Sequence, residues 1–472
     1  MPSDHTPDSS GSPEDPGLPP ELLELLRALT GGAEVPPELA SLLQGAGLSG
    51  LDPGMLHGML AQVQQLFAAA ETDGTLAAEA VRDTARSTVT EHGDPSIGAK
   101  DIRAVADAVS VAGLWLDDVT TLSAPAVRGL AWSGSEWIEG TLPRWLDLAA
   151  PVAEGVAHAV EAAMGRQLGR LSGHELPEGL LPPGVNPEQL LSQMSGMLRR
   201  LQGSVFSVQV GRGIGVLAGE LLSGTEVGLP LTPAGEVVLL PGAVRTFAAD
   251  LGIDEAQVRL FLAVRELARV RLFADVPWLA SQLLAGVRDY ARGIRIDTDA
   301  IEASLGSMDL SDLSDPTALQ EALGGTAFTP PNSPEQAAAL RRLEASLALV
   351  EGWVDVVATA AARPHLPQVD ALAEAVRRRR ATGGPAEKTF AALVGLELRP
   401  RRLRDATNLF AALQADGGAA ARDAAWRHPD LAPGADDLDD PLGYVARASE
   451  STPDALDAEL EKLLRGEDEP PA

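Results

Sequence analysis

The chain has 472 residues, with 67 acidic against 37 basic side chains and no cysteine. A formal charge of −30 opposes association with nucleic acid or anionic lipid over most of the surface, so neither nucleic acid nor membrane is expected as a partner. The lack of cysteine excludes disulfides, thiolate zinc sites, iron–sulfur clusters and cysteine nucleophiles, so any metal would have to be held by His, Asp or Glu.

Residues 1–18 are acidic and rich in Ser and Pro, without the positive and apolar regions of a secretory signal, and read as a disordered tail. No uninterrupted apolar run of about 18 residues follows, so the expectation is a cytoplasmic protein with no membrane span. Residues 19–100 read as a helical N-terminal region, with apolar residues at helical spacing in 21–29, 37–43 and 55–70. Helices are expected at 101–122 and 124–164. The second carries Trp132, Trp137 and Trp145, which read with Trp115 as core anchors.

The HELPE stretch at 174–178 imitates a metal motif, but its Pro and Gly surroundings make it a loop. Beyond the helix predicted at 187–201, Gly211, Gly213, Gly215 and Gly219 lack the spacing of a dinucleotide loop and the Lys-Ser/Thr of a phosphate loop. They read instead as small residues that let a neighbouring helix approach. EVVLL at 236–240 is the expected short strand.

The helix predicted at 254–273 contains VRELARVRLF, and at 100° per residue Arg265 and Arg269 share an arc with Val258, Phe261, Leu262 and Leu272. A guanidinium in that arc must find a carboxylate or carbonyl, because an unpaired buried charge costs several kcal/mol. Otherwise both stems snorkel to the helix edge, or Glu266 pairs with Arg269 at i, i+3. The helix predicted at 334–362 offers countercharge. Its apolar arc runs through Leu343, Leu347, Val350, Val354 and Val357, flanked by Glu344, Glu351 and Asp355. Residues 377–404 then carry nine basic side chains against two acids, a block expected to be compensated by acidic segments of the same chain. Residues 442–472 read as an acidic helical tail.

VRELARVRLFADVPWL, LALVEGWVDVV, GGPAEKTFAALVGLELRPRRLRDATNLFAAL and HPDLAPGADDLDDP together resemble a bacterial family of zincin-like metalloproteases, presumed hydrolases with a sister branch linked to coenzyme F420 biosynthesis. SEWIEGTLPRWLDLAAPVA and GELLSGTEVGLPL resemble it too. The resemblance implies a mainly α fold, a zincin-like helical core with a little β over residues 101–441, preceded by the added helical region.

It further implies that Arg265, Arg269 and Glu351 stand at metal-ligand positions, with Glu266 at the position of the general base and Asp355 in support. Arginine has no free lone pair to give a metal, and the seven histidines offer no metal-binding spacing. Zinc is therefore implied by the family alone, and no cofactor is expected. The function expected is that of a pseudoenzyme binding a protein or peptide. The alternative is an active metal-dependent peptidase or hydrolase using Glu266 as general base. Two arginines would match the two charges of a zinc ion, and at least one should hydrogen-bond Glu351 or Asp355.

Overall fold

The computed structural model describes residues 76–172, 187–293, 334–381 and 402–450. The helices expected at 21–29, 37–43 and 55–70, the HELPE stretch, Lys388, Arg399 and Arg401 lie outside the described residues, as does most of the acidic tail. Helix dominates: eleven helices and two four-residue strands occur among the described residues.

Helix α1 (Ala78–Glu91) is followed by α2 (Ala99–Asp117), strand β1 (Arg128–Ala131) and the long α3 (Gly134–Ser172) and α4 (Pro187–Glu220). The single helix predicted across 124–164 is thus divided, with a strand taking its first residues. The helix expected at 187–201 and the glycine-bearing stretch after it form one helix, α4. A Cβ at Gly211 would lie 2.6 Å from the Val81 carbonyl oxygen, and one at Gly215 2.5 Å from that of Ala85. Those glycines therefore set the close approach of α1 to α4, as the packing reading requires.

Strand β2 (Glu236–Leu239) falls where EVVLL predicts it and pairs in parallel with β1, from Arg128 opposite Glu236 to Ala131 opposite Leu239. Val237, Val238 and Leu239 are buried. Helices α5 (Pro241–Leu251), α6 (Glu255–Asp275), α7 (Pro277–Arg292), α8 (Pro334–Ala362), α9 (Val369–Ala381), α10 (Leu403–Ala424) and α11 (Pro441–Glu450) complete the described chain.

Asp254 caps α6 by accepting from the amides of Ala256 and Gln257. Every residue of α6 from Phe261 to Leu272 is buried. The one-sided apolar arc read from sequence understates this: Val264, Leu267, Ala268 and Val270 are buried as well, so α6 is a central helix covered on all sides. Around it lie α2, α5, α7, α8 and β2. Helix α8 is apolar and long enough to span a bilayer by length and composition, yet most of it is packed inside the protein and its apolar run is broken by Glu351 and Asp355.

Gly352 lets α10 lie against α8, since a Cβ there would come within 2.7 Å of Ala406. α10 bends at Gly417 and Gly418, the latter at φ +72°, a conformation suited to glycine. Beyond the bend, Asp423 accepts hydrogen bonds from Thr120, Thr121, Trp353 Nε1 and Arg422, joining the segment after α2 to α8 and α10. Trp137 and Trp145 are buried and meet edge to face at 6.2 Å. Trp115 and Trp132 are only partly buried, packed against the edge of the core, and Trp115 also stacks on His365 at 4.3 Å.

Candidate functional site

Facing turns of α6 and α8 bring Arg265, Glu266, Arg269, Glu351 and Asp355 together, and all five are at least 97% buried. The arginines do not snorkel. Arg265 donates from Nη1 to Asp355 Oδ1 at 2.9 Å and from Nη2 to Glu351 Oε2 at 3.2 Å. Arg269 donates from Nε to Glu351 Oε1 at 2.8 Å and from Nη2 to Glu351 Oε2 at 3.4 Å, a two-pronged contact with one carboxylate. Its Nη1 also reaches Glu266 Oε2 at 2.6 Å, so the i, i+3 pair and the pair between helices coexist. Glu344, the third acid of the predicted ridge, is only partly buried.

Two further segments close the site, and the sequence reading assigns neither to it. The first follows α4. Ser223 Oγ donates to Glu266 Oε2 and the Thr225 amide to Glu266 Oε1, both at 2.8 Å, while Arg269 Nη1 donates to Thr225 Oγ1 at 3.2 Å. This segment is held by the Gly224 amide on the Val238 carbonyl of β2 and by Trp137 Nε1 on the Gly224 carbonyl. Gly224 has no room for a side chain: a Cβ would lie 2.7 Å from Thr232 and 2.8 Å from Val238.

The second is the basic end of α9. Arg377 Nε donates to Asp355 Oδ2 at 2.9 Å, Arg380 Nη2 lies 3.0 Å from Glu351 Oε1, and Arg379 Nε donates to Glu226 Oε1 at 3.1 Å. Arg379 and Arg380 also donate to the carbonyls of Glu220 and Glu226. Arg402, at the far end of the basic block, pairs with Asp405 and Asp439. Arg377, Arg378, Arg379, Arg380 and Arg402 of the block therefore meet acids of their own chain, while Arg404 is exposed. The sequence shows the charges, a run of four arginines and two acids beside an apolar arc, but not that they meet.

The electrostatics follow from burial and crowding. Burial alone would raise the Glu351 carboxyl, but Arg269, Arg380 and Arg265 together hold it down at about 2. Burial pushes the Glu266 carboxyl above the ordinary range, against the pull of Arg269, Ser223 and Thr225. For Arg380 burial dominates, lowering it to about 10 although Glu351 pulls upward, so it stays charged at neutral pH.

These donors bear directly on metal binding. Both oxygens of Glu351 face guanidinium groups, and Glu266 already accepts from three donors. No guanidinium can serve as a ligand. Among the described residues no three His, Cys, Asp or Glu side chains are grouped to hold a metal ion. His92 and His158 bond the carbonyls of their own helices, His365 stacks on Trp115, and His428 caps the short turn Pro429–Leu431. The residues present do not fit zinc.

The zincin-like metallopeptidase family matches residues 76–445, and the chain belongs to it. Its fold is similar to the crystal structure of a presumed hydrolase with a novel fold from Chloroflexus aurantiacus, at 18% identity and a TM-score of 0.53, covering 79% of this chain and 99% of that one. No curated protein matches the chain.

Proposed function

We propose that this chain is a non-catalytic member of its family, a pseudoenzyme in which R-E-L-A-R is a degenerate form of H-E-x-x-H, and that it acts by binding a protein or peptide. The observation that carries this reading is the engagement of Glu351 by the guanidiniums of Arg265, Arg269 and Arg380, where a metal ligand would need a free lone pair. Two guanidiniums bring the same charge as a zinc ion beside two neutral histidines. They preserve the electrostatic balance of the acids and supply no Lewis acid. A hydrolase would also need Glu266 to meet a water molecule, and that carboxylate is fully buried and accepts from Ser223, Thr225 and Arg269.

Metal analysis of protein purified without chelator tests this. The expected content is well under one zinc per chain, whereas Arg265→His with Arg269→His should gain zinc binding. Near-stoichiometric zinc in the wild type, or peptide hydrolysis abolished by Glu266→Gln, would overturn the reading.

A further inference from the structure

We infer that α9 is an internal ligand of the carboxylate cleft, and that the partner this cleft accepts is an arginine-bearing helix of the same chemistry. The inference deepens the binding reading above and rests on it.

Without α9, the floor of the site carries the buried Glu266, Glu351 and Asp355 and the partly buried Glu226 against Arg265 and Arg269, two more carboxylates than guanidiniums. α9 supplies that charge and one more, with three arginines. Arg377 reaches Asp355, Arg379 reaches Glu226 and Arg380 reaches Glu351. On α9 itself, Glu374 is 56% exposed and lies 3.6 Å from Arg377 and 3.8 Å from Arg378.

The contacts select guanidinium over ammonium. Arg379 and Arg380 each serve a carboxylate together with a backbone carbonyl, Glu220 at the end of α4 and Glu226 respectively. Arg379 also lies over the Phe247 ring at 5.9 Å. A planar fork with several fixed donors can make such divided contacts, and a lysine's single ammonium on a flexible stem is a poor substitute. The apolar side of α9, Leu372, Ala373 and Val376, is buried while Arg378 faces solvent. The arrangement is that of an amphipathic helix laid in a groove, with the groove and the helix in one chain. Opening the cleft breaks these pairs and an arriving arginine-bearing segment restores them, so displacement of α9 is linked to binding of that segment.

The test uses the full chain with Arg377→Gln, Arg379→Gln and Arg380→Gln, and a fluorescein-labelled peptide of residues 369–381 followed by anisotropy. The variant should bind the peptide at least about tenfold more tightly than wild type, whose cleft is filled. Arginine-to-lysine replacement in the peptide, or Asp355→Asn in the variant, should abolish the gain. A folded variant with no gain, or equal binding by wild type, overturns the inference. Should the triple variant fail to fold, hydrogen exchange on wild type decides: saturating peptide should speed exchange of the α9 amides and leave α1 unchanged, and unaltered α9 exchange overturns it. Zinc in the purified protein would defeat the non-catalytic reading while leaving this peptide result standing, so the two failures are distinguishable.

Discussion

Glu351 lies within contact of three guanidiniums, and its removal would leave Arg265 and Arg269 buried beside too few acids. Breaking a buried pair in this way costs about 3–5 kcal/mol, so Glu351→Ala should lower the urea midpoint by the corresponding amount. A variant that unfolds with the wild type would show that the network contributes nothing to stability. The acid side of the pH profile belongs to the same residue. Its folded value of about 2 lies below the ordinary glutamate value of 4.5, so its contribution is present above that ordinary value and fades as pH falls toward about 2. Urea titrations across that window should show a slope that Glu351→Gln reduces by about 1.4 kcal/mol per pH unit, one proton's worth. An identical slope in the variant would assign the acid sensitivity to other carboxylates. Helical spacing placed Arg265 and Arg269 on one apolar arc and Glu351 and Asp355 beside another, and the family resemblance joined them with Glu266 into one constellation. Ser223, Thr225 and Arg380 were not legible as part of it, because their approach depends on how a loop and a third helix fold back, which no local periodicity encodes.

Among the elements, small residues decide which helices touch. Gly215→Ala forces a methyl against the Ala85 carbonyl and the Thr88 side chain, where it would lie 2.5 and 2.6 Å away. Overpacking of this kind costs about 1–3 kcal/mol, so the variant should unfold at lower urea. Gly286→Ala in α7 is the counterpart: its methyl would meet Leu343 at an ordinary 3.5 Å. There the better helix propensity of alanine should leave stability unchanged or raise it by up to about 1 kcal/mol. Equal losses at both positions would mean that Gly215 acts through something other than contact with α1. The close-packing role of the α4 glycines could be read from the sequence because the competing phosphate-loop patterns fail residue by residue. Strand β1 could not be read. Arg128-Gly129-Leu130-Ala131 has no alternation, and it is drawn into extended form by β2 on one side and by α2 on the other, where a Cβ at Gly129 would lie 2.9 Å from Val109.

On the scale of the whole described molecule, two buried charged centres hold distant stretches together, one around Glu351 and the other around Asp423. Asp423 is held below its ordinary value, because the bonds and charge of Arg422 and the donors of Thr121 and Trp353 outweigh a burial that would raise it. Arg422 is fully buried, so Asp423→Ala would leave its guanidinium with no carboxylate, only the Val119 carbonyl, Gln414 and the face of Trp353. A loss of about 3–5 kcal/mol is expected, together with a red shift of tryptophan emission as Trp353 loses its partner. Unchanged stability and emission would show that the segment after α2 is anchored by packing alone. This centre was invisible in the sequence: Arg422 and Asp423 are adjacent residues of ordinary appearance, and their partners lie about three hundred residues away in Thr120 and Thr121.

The way α9 completes the charge balance of α8 has a consequence for synthesis. Arg265 precedes Glu351 by 86 residues, and Arg377 follows Asp355 by 22. A ribosome adding about 5–20 residues per second delivers the arginines of α6 first, then both acids, and α9 after a delay of about 1–4 seconds. Throughout that delay a long apolar helix of the nascent chain carries carboxylates whose full set of counterions has not yet been made. Water must keep solvating them, and the final closure of the central helices is thereby timed to the emergence of the last arginines.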